Sequence, residues 1–221
     1  MKYSIIRSGQ SRSFPPGDPF LEGASPEAEV VFYLGAHFVP DASRAAVLVE
    51  LGVDCLGVHT GESSGSEGSN VLGFARYRNG NDPPSKLVEL VRQPETAKSA
   101  IEAATVVFEE AGLEVALCAD QAGRIIDRLV RPKYNAALRF LDEGLASAED
   151  MDLTCRLGLS YPDGPIERVE RGGLAYHHHV SSSLFEVYGT PGYAPARRSV
   201  VAAQRWERGI ASEAGKAGSQ S

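Results

Sequence analysis

The hydrophobic pattern of the chain changes near Asp120, and this change limits the available folds more than any other feature. Before it, short apolar runs separated by Gly, Pro, Asn and Ser indicate strands with occasional helices. After it, apolar residues recur at helical spacing. We therefore expect an α/β domain over residues 1–119, an all-α domain over 120–211 and a disordered polar tail over 212–221.

The first domain is predicted to contain a mostly parallel sheet. A strand at 30–36, a helix at 42–52 and a strand at 54–60 form a β-α-β unit, which favours parallel strands. Residues 61–70 have the composition of a flexible polar loop. Further strands are expected at 3–6, 71–78, 86–92 and 113–119, with a helix at 95–112.

The second domain is predicted to be built from five helices. Two of them have clear start signals, because Ser147 is an N-cap residue followed by acids and Pro165 suits a first helical position. Pro132 lies inside the first helix and is expected to kink it. The helices are expected at 123–143, 147–157, 165–171, 174–188 and 197–208.

Composition excludes several classes of protein. A net charge of -7 over 221 residues argues against a nucleic-acid surface, and no apolar run is long enough to cross a bilayer. The N-terminus lacks the apolar block of a secretory signal, so we expect a cytoplasmic protein. Cys55, Cys118 and Cys155 are odd in number and widely spaced, which predicts small buried residues rather than a disulfide framework or a zinc site.

Five sequence segments occur in an order and spacing that resemble one enzyme family. They are KLVE at 86–89, the helix start at 123–129, EGLASAEDMD at 143–152, LGLSYPDGPIE at 157–167 and YGTPGYAP at 188–195. Together they resemble the 3-hydroxyacyl-CoA dehydrogenases, and the second domain resembles the helical domain of that family. The resemblance implies a Rossmann domain in front, NAD-dependent oxidation of an acyl-CoA 3-hydroxy group, and a homodimer formed through the helical domain.

The phosphate-binding turn that the resemblance implies is missing from this sequence. The family carries G-x-G-x-x-G after its first strand, where backbone amides and a helix N-terminus approach the cofactor. The nearest candidate, residues 60–68, has one residue too many and precedes strand-like residues instead of a helix. We therefore expect no cofactor here, although NAD is the cofactor of the family.

The resemblance also implies three catalytic residues, and this chain keeps only one of them unchanged. The family uses a His as general base, a Glu that orients it and an Asn that polarises the reacting oxygen. The Glu corresponds to Glu89, the Asn to Asp127, and the His to Ala75 or Tyr77. Glu89 and Asp127 are thus the candidate site residues. We expect a protein that has lost, or nearly lost, hydride transfer and keeps an acyl-CoA binding or assembly role.

Two other functions stay open at this stage. The chain could be an active enzyme of altered chemistry that uses Glu89 with Asp127, His37 or His59, the two His being placed at the carboxyl ends of predicted strands. It could also be a dimerising module that recruits a complete paralogue. Glu89 is equally well a salt-bridge partner of Arg76 or Arg78.

The run Tyr176 to His179 invites a metal-site interpretation. Successive helical residues point about 100 degrees apart, so that at most two of the three imidazoles can share a site. Ser residues follow the run, and the additional Asp or Cys ligands of a metal site are missing from its neighbourhood. We expect no metal and interpret the run as a polar helix face at a domain or subunit contact.

Overall fold

The structure is a computed structural model that describes residues 1–35, 37–62 and 69–210. The chain forms two compact units. The first contains Met1–Arg78 and Pro84–Ile125, and the second contains Asn79–Pro83 and the chain from Ile126 onward. The predicted tail at 212–221 and most of the predicted loop at 61–70 lie outside the described residues.

The first unit is built on a six-stranded sheet whose strands lie in chain order. Neighbouring strands are parallel except β4 and β5, which are antiparallel. The predicted α/β sheet followed by helices is confirmed. The strands are β1 (Tyr3–Arg7), β2 (Val30–Leu34), β3 (Ala46–Glu50), β4 (Val71–Arg76), β5 (Leu87–Arg92) and β6 (Glu114–Ala119).

Two element predictions in the first unit are wrong. The helix expected at 42–52 is replaced by β3, and the strand expected at 54–60 is replaced by the short helix α2 (Gly57–Thr60). Strands β2 and β3 are parallel, but a loop rather than a helix leads directly into β3. The other helices of this unit are α1 (Pro19–Glu22) and α3 (Lys98–Glu110), the latter inside the predicted range.

Burial on both faces explains why residues 46–49 form a strand. Ala46 and Leu48 belong to one apolar core, whereas Val47 and Val49 belong to another. Alternate side chains of a strand point to opposite faces, so a run of four apolar residues can fill both cores at once. Because every residue of such a run is apolar, the run lacks the alternation of apolar and polar residues that indicates a strand, and it can be mistaken for a helix.

The core on the α3 side of the sheet is rich in aromatic residues. Phe32 makes edge-to-face contacts with four rings, at centroid distances of 5.1–5.6 Å. Such arrangements favour the ring quadrupoles and add to the hydrophobic gain of burial. The segment between β1 and β2 contributes Phe14 and Phe20 to this core. The rings are Tyr3, Phe14, Phe20, Phe32, Phe74 and Phe108.

The second unit is helical, as predicted. Its apolar core combines one face of the first helix of this unit, with Tyr134 and Leu138, and side chains of three later helices, among them Ile166. The elements are α4 (Ile126–Asp142), α5 (Ala148–Leu159), α6 (Pro165–Gly172), α7 (Leu174–Tyr188), a 3₁₀ turn (Pro191–Tyr193) and α8 (Arg197–Glu207). Among the described residues, no helix is long and apolar enough to span a membrane.

The predicted helix starts are confirmed by their hydrogen bonds. The Ser147 side chain accepts the N–H of Asp150, and Pro165 is the first residue of α6. The Asp152 carboxylate accepts the N–H groups of Ile166 and Glu167 and thereby satisfies two donors of the first turn of α6. Pro132 lies inside α4, which continues as a helix on both sides of it.

The segment Asn79–Pro83 lies between β4 and β5 in the chain but belongs to the helical unit. The Asn79 side chain donates to the carbonyl of Arg168, and Asp82 accepts a hydrogen bond from Arg171 at 3.0 Å. A Cβ on Gly80 would lie 2.3 Å from the carbonyl oxygen of Arg171, so a larger residue has no room there. The helical unit is therefore assembled from two separate stretches of chain.

Candidate functional site

Glu89 lies in the middle of β5, on the side of the sheet opposite α3. It neighbours Val88 and Leu90, which point into the aromatic core, so its own side chain points to the other face. In the antiparallel pair of β4 and β5, Ala75 lies directly opposite Glu89. Directly opposed residues have Cβ atoms about 4.5–5.5 Å apart, so a His at position 75 would lie beside this carboxylate.

The Glu89 carboxylate is buried and bonded within its own unit. It accepts the backbone N–H of Ile125 at 2.8 Å, and its other oxygen lies 3.5 Å from Nε of Arg124. Arg124 in turn donates to the carbonyl of Gly52 at 2.6 Å. The side chains of Glu89 and Arg124 are only 4% and 3% exposed. The carboxylate therefore has a fixed cationic partner that the sequence did not reveal.

The backbone of Arg124 is in an unusual conformation. Its φ of 49° lies in the left-handed region, which non-glycine residues adopt infrequently. Holding this conformation costs free energy, which the surrounding contacts must offset. The contacts that hold the residue include the bond to Gly52, the ion pair with Glu89 and the bond from its own N–H to the carbonyl of Gln121.

One of the two salt-bridge partners predicted for Glu89 is wrong. The Arg76 guanidinium binds Asp18 at 2.8 Å and the carbonyl of Ser13 at 3.0 Å. Arg76 pairs with Val88 in the sheet register, and alternate residues point to opposite faces. Its side chain therefore cannot share a face with Glu89.

Cys118 on β6 is an electrostatic neighbour of this ion pair. Burial and the nearby Glu89 carboxylate raise the pKa of the Cys118 thiol to about 11. At neutral pH the thiol is therefore protonated and a poor nucleophile. Cys55 and Cys155 are likewise free, and all three cysteines are partly exposed rather than fully buried as expected.

Asp127, the second candidate residue, lies in the first turn of α4 in the helical unit. Its Oδ1 accepts a hydrogen bond from Nε of Arg131 at 2.9 Å and forms an ion pair with Nη2 of the same residue at 2.7 Å. The side chains of both residues are largely buried, at 12% and 5% exposed. Asp127 is therefore a charged acceptor that is already engaged by a guanidinium.

The same guanidinium continues into a buried polar network. Nη1 of Arg131 lies 3.4 Å from Nδ1 of His177, and Nε2 of His177 lies 2.9 Å from Oδ1 of Asn135. Because arginine can only donate, Nδ1 must accept, and the imidazole carries its proton on Nε2. Asn135 also accepts the N–H of Ala196 and donates to the carbonyl of Gly192. The network joins α4, α7 and the turn before α8.

The interpretation of the histidine run as a polar contact face is wrong for its first member. His177 is 1% exposed and belongs to the buried network. His178 is partly buried, with its Nε2 3.4 Å from the Ser182 hydroxyl, and His179 is exposed. Among the described residues, no group of three or more His, Cys, Asp or Glu side chains is placed to hold a metal ion.

The buried imidazole predicts a specific pH dependence of stability. Burial, with the nearby Arg131, lowers the pKa of His177 from 6.5 to about 3. Between these values the unfolded chain binds a proton that the folded chain does not, so stability falls as the pH is lowered from 6.5 toward 3. His177 should contribute about 1.4 kcal/mol per pH unit to this loss.

The measurement compares wild type with His177→Gln in denaturant titrations at several pH values. Glutamine can accept from Arg131 and donate to Asn135 but does not titrate. Wild type should lose stability more steeply than the variant between pH 6.5 and pH 4. Identical slopes would show that His177 is not buried in its neutral form.

His37 and His59, the alternative bases, do not bond to Glu89 within the described residues. His37 follows β2 and is exposed. His59 lies in α2 instead of ending a strand, and its ring packs edge-on against Phe38 at 6.3 Å.

The described elements that join β1 to β4 differ from those with which a Rossmann domain holds a dinucleotide. A Rossmann domain uses a parallel strand, a tight turn and a helix whose N-terminus faces the pyrophosphate. Within the described residues, the helices between these strands are α1 and α2, each four residues long. The first two N–H groups of the α2 turn already bind the Asp120 carboxylate, at 2.6 and 2.7 Å.

Comparisons with known proteins agree with this architecture. Residues 123–215 match the family model of the 3-hydroxyacyl-CoA dehydrogenase C-terminal domain. Over 115 residues the chain is 34% identical to 3-hydroxybutyryl-CoA dehydrogenase of Mycobacterium tuberculosis, covering 51% of this chain and 40% of that protein. Over 92 residues it is 37% identical to mitochondrial hydroxyacyl-coenzyme A dehydrogenase of Sus scrofa, covering 42% and 29%. The chain thus spans less than half the length of these relatives.

Solved structures extend the similarity to the sheet. The crystal structure of M. tuberculosis FadB2 aligns with a TM-score of 0.69 at 22% identity, covering 83% of this chain and 67% of that one. (S)-3-hydroxybutyryl-CoA dehydrogenase of Ralstonia eutropha aligns with 0.69 at 20% identity, covering 82% and 66%. Residues 123–215 thus belong to the C-terminal domain of the 3-hydroxyacyl-CoA dehydrogenase family, and a Rossmann-like, mostly parallel sheet precedes this domain.

Proposed function

We propose that this chain works in acyl-CoA metabolism as a binding or assembly protein that lacks NAD-dependent hydride transfer. The observation that carries the proposal is the pairing of Ala75 with Glu89. This pairing favours Ala75 over Tyr77 as the residue in the place of the family's His. A methyl group cannot accept a proton, so the step that the family assigns to an imidazole has no acceptor at this position.

The state of the two candidate residues supports the same proposal. Glu89 is paired with Arg124, and Asp127 is paired with Arg131, each within its own unit. An amide at position 127 could donate a hydrogen bond to a developing oxyanion, whereas an ionised carboxylate can only accept. Both acids are more consistent with structural ion pairs than with catalysis, and we expect no bound NAD.

A homodimer formed through the helical unit is part of the proposal. Leu129, Leu153 and Leu157 are 69%, 46% and 77% exposed, on α4 and α5. Leu153 and Leu157 are four residues apart and therefore share one face of α5. Exposed apolar side chains that form a continuous patch mark surfaces that another protein covers. The same residues favour the second candidate function, a dimerising module that recruits a complete paralogue. We further propose a cytoplasmic location and no binding to nucleic acid or membrane.

Calorimetry with two ligands tests the proposal. Titration with acetoacetyl-CoA should give a saturable heat, titration with NADH should give none, and the mixture of both should show no oxidation of NADH. If neither titration gave a binding heat, acyl-CoA binding would be rejected, and the chain would instead be a dimerising module that recruits a complete paralogue. Turnover that is lost in Glu89→Gln but kept in the exposed control Glu102→Gln would establish an active enzyme of altered chemistry and overturn the proposal.

A further inference from the structure

The segment that follows β1 runs over the ends of neighbouring strands. The backbone N–H of Ser8 donates to the carbonyl of Leu34, the last residue of β2, at 3.3 Å. The Ser11 hydroxyl donates to Oε1 of Glu50, the last residue of β3, at 2.7 Å. We call residues 8–13 the strap, which passes from the end of one strand to the end of its neighbour.

The strap reaches a third strand through Ser13. The backbone N–H of Ser13 donates to the same Oε1 of Glu50 at 2.9 Å. The Ser13 hydroxyl accepts the backbone N–H of Arg76, the last residue of β4, at 3.2 Å, and its carbonyl accepts from Nη1 of Arg76 at 3.0 Å. Arg12 donates to the carbonyl of Arg78, just after the same strand, at 3.0 Å. The strap thus contacts the carboxyl ends of β2, β3 and β4, which are parallel neighbours.

The strap covers this edge as a single layer of chain. Ser11 and Ser13 contact the strand ends and are only 4% and 2% exposed, whereas Gln10 and Arg12 are exposed. The strap contains neither helix nor strand. Its contacts are therefore those of a cover over the edge of the sheet and not those of a further strand.

Both ends of the strap are fixed, while its middle is held by few bonds. The strap starts directly after β1, and Phe14, which follows it, is fully buried and stacks on Phe20 at a centroid distance of 4.1 Å. Between these ends, one oxygen of Glu50 accepts two of the hydrogen bonds that hold the strap. A segment with few buried contacts can open locally while the rest of the protein stays folded.

The strap occupies a place at which sheets of this kind bind ligands. Open sheets with parallel strands take their ligands in the crevice outside the carboxyl ends of these strands. A carboxylate near such an end binds ribose hydroxyls in dinucleotide-binding sheets, and here the Ser11 hydroxyl is bound to Oε1 of Glu50. We propose that the strap is autoinhibitory, because it excludes a dinucleotide from this edge as long as Ser11 and Ser13 hold it closed.

This inference rests on the proposed function, because it gives a cause for the expected lack of NAD binding. The missing glycine turn removes contacts to the phosphates, whereas the strap occupies the space and the carboxylate that a ribose would need. Opening of the strap should therefore uncover weak dinucleotide binding that the closed protein does not show.

The test loosens the strap by replacing two serines. The double variant combines Ser11→Ala with Ser13→Ala, which keeps Glu50 but removes its hydroxyl donor and the hydroxyl that accepts from Arg76. Hydrogen exchange followed by mass spectrometry should show a peptide of residues 8–14 exchanging about tenfold faster than in wild type. Peptides from β2 and β3 should exchange as they do in wild type.

Fluorescence titration with NADH is the second readout. The apparent affinity of a ligand that binds only the open form is proportional to the fraction of protein in that form. NADH should therefore bind the double variant more tightly than wild type, by the same factor by which the strap peptide exchanges faster. Ser43→Ala, which changes an exposed serine of the same unit, is the matched control and should leave both readouts at the wild-type level.

Three results would overturn the proposal. One is a strap peptide that exchanges in wild type as fast as in denaturant, because the strap would then not be closed. The second is faster exchange of β2 and β3 in the double variant, because the strap would then be part of the folding core. The third is faster exchange of the strap without a gain in NADH binding. Calorimetric silence toward acetoacetyl-CoA would reject the proposed acyl-CoA role and would leave both readouts unaffected.

Discussion

Glu89→Ala is expected to lower the free energy of unfolding by about 3–5 kcal/mol, because the Arg124 guanidinium is left buried without its partner. The backbone N–H of Ile125 also loses its acceptor. The loss is measured by urea or guanidinium titration followed by circular dichroism. A change below about 1 kcal/mol would show that the pair is solvated, since exposed ion pairs contribute only that much.

Two controls distinguish the loss of stability caused by an unpaired buried charge from the loss caused by missing side-chain volume. Glu89→Leu combined with Arg124→Met removes both charges and keeps apolar volume, so it should recover much of the loss caused by Glu89→Ala. The exposed pair Lys98 and Glu102 is the matched surface control, and Glu102→Ala should change stability by less than about 1 kcal/mol. A double variant no more stable than Glu89→Ala would contradict the assignment of a buried ion pair.

Asp127→Ala is expected to have a similar effect on the helical unit, a loss of about 3–5 kcal/mol. Arg131 would then keep its charge in a buried position, where the neutral His177 lies 3.4 Å from its Nη1. Asp127→Asn should cost less, because the amide oxygen still accepts from Arg131. Chemical denaturation followed by near-ultraviolet circular dichroism measures both losses.

The control for this second experiment is the exposed acid Glu186 on α7, whose replacement by alanine should be nearly neutral. If Asp127→Ala matched Glu186→Ala, the Asp127–Arg131 pair would not be a stabilising contact. If Asp127→Asn instead produced NADH-dependent turnover of acetoacetyl-CoA, the carboxylate would be the single element blocking catalysis. We do not expect this turnover, because Glu89 would still be paired with Arg124 and Ala75 would still stand in the place of the family's His.

The helices of the second unit could be predicted from the sequence because their signals are local. Ser147 and Pro165 mark helix starts within a few residues, and the apolar spacing of α4 is visible over several turns. Strands β5 and β6, with α3 between them, were predictable for the same reason. Each of these elements has its own boundary residues.

The rest depended on partners far away in the chain. Residues 46–49 form a strand because two cores lie on either side of them, and the sequence shows neither core. Phe14 and Phe20 lie between the predicted strands at 3–6 and 30–36, where no element was expected, yet both are buried in the aromatic core. Glu89 was identified as a candidate from KLVE, but its partner Arg124 has no motif that connects it to that strand. His177 appeared to be one of three equivalent imidazoles, and only tertiary packing distinguishes it.

The assignment of Asn79–Pro83 to the helical unit has a consequence for the dissection of this protein. No single cut in the sequence separates the two units. The chain contributes residues 79–83 to the helical unit after β4 and then forms β5 and β6 of the sheet. A gene fragment that begins after β6 would encode a helical body without the Asp82 carboxylate that Arg171 binds. Such a fragment would also lack Asn79, which donates to the carbonyl of Arg168, so a separately expressed helical unit needs the connection between β4 and β5 to keep both contacts.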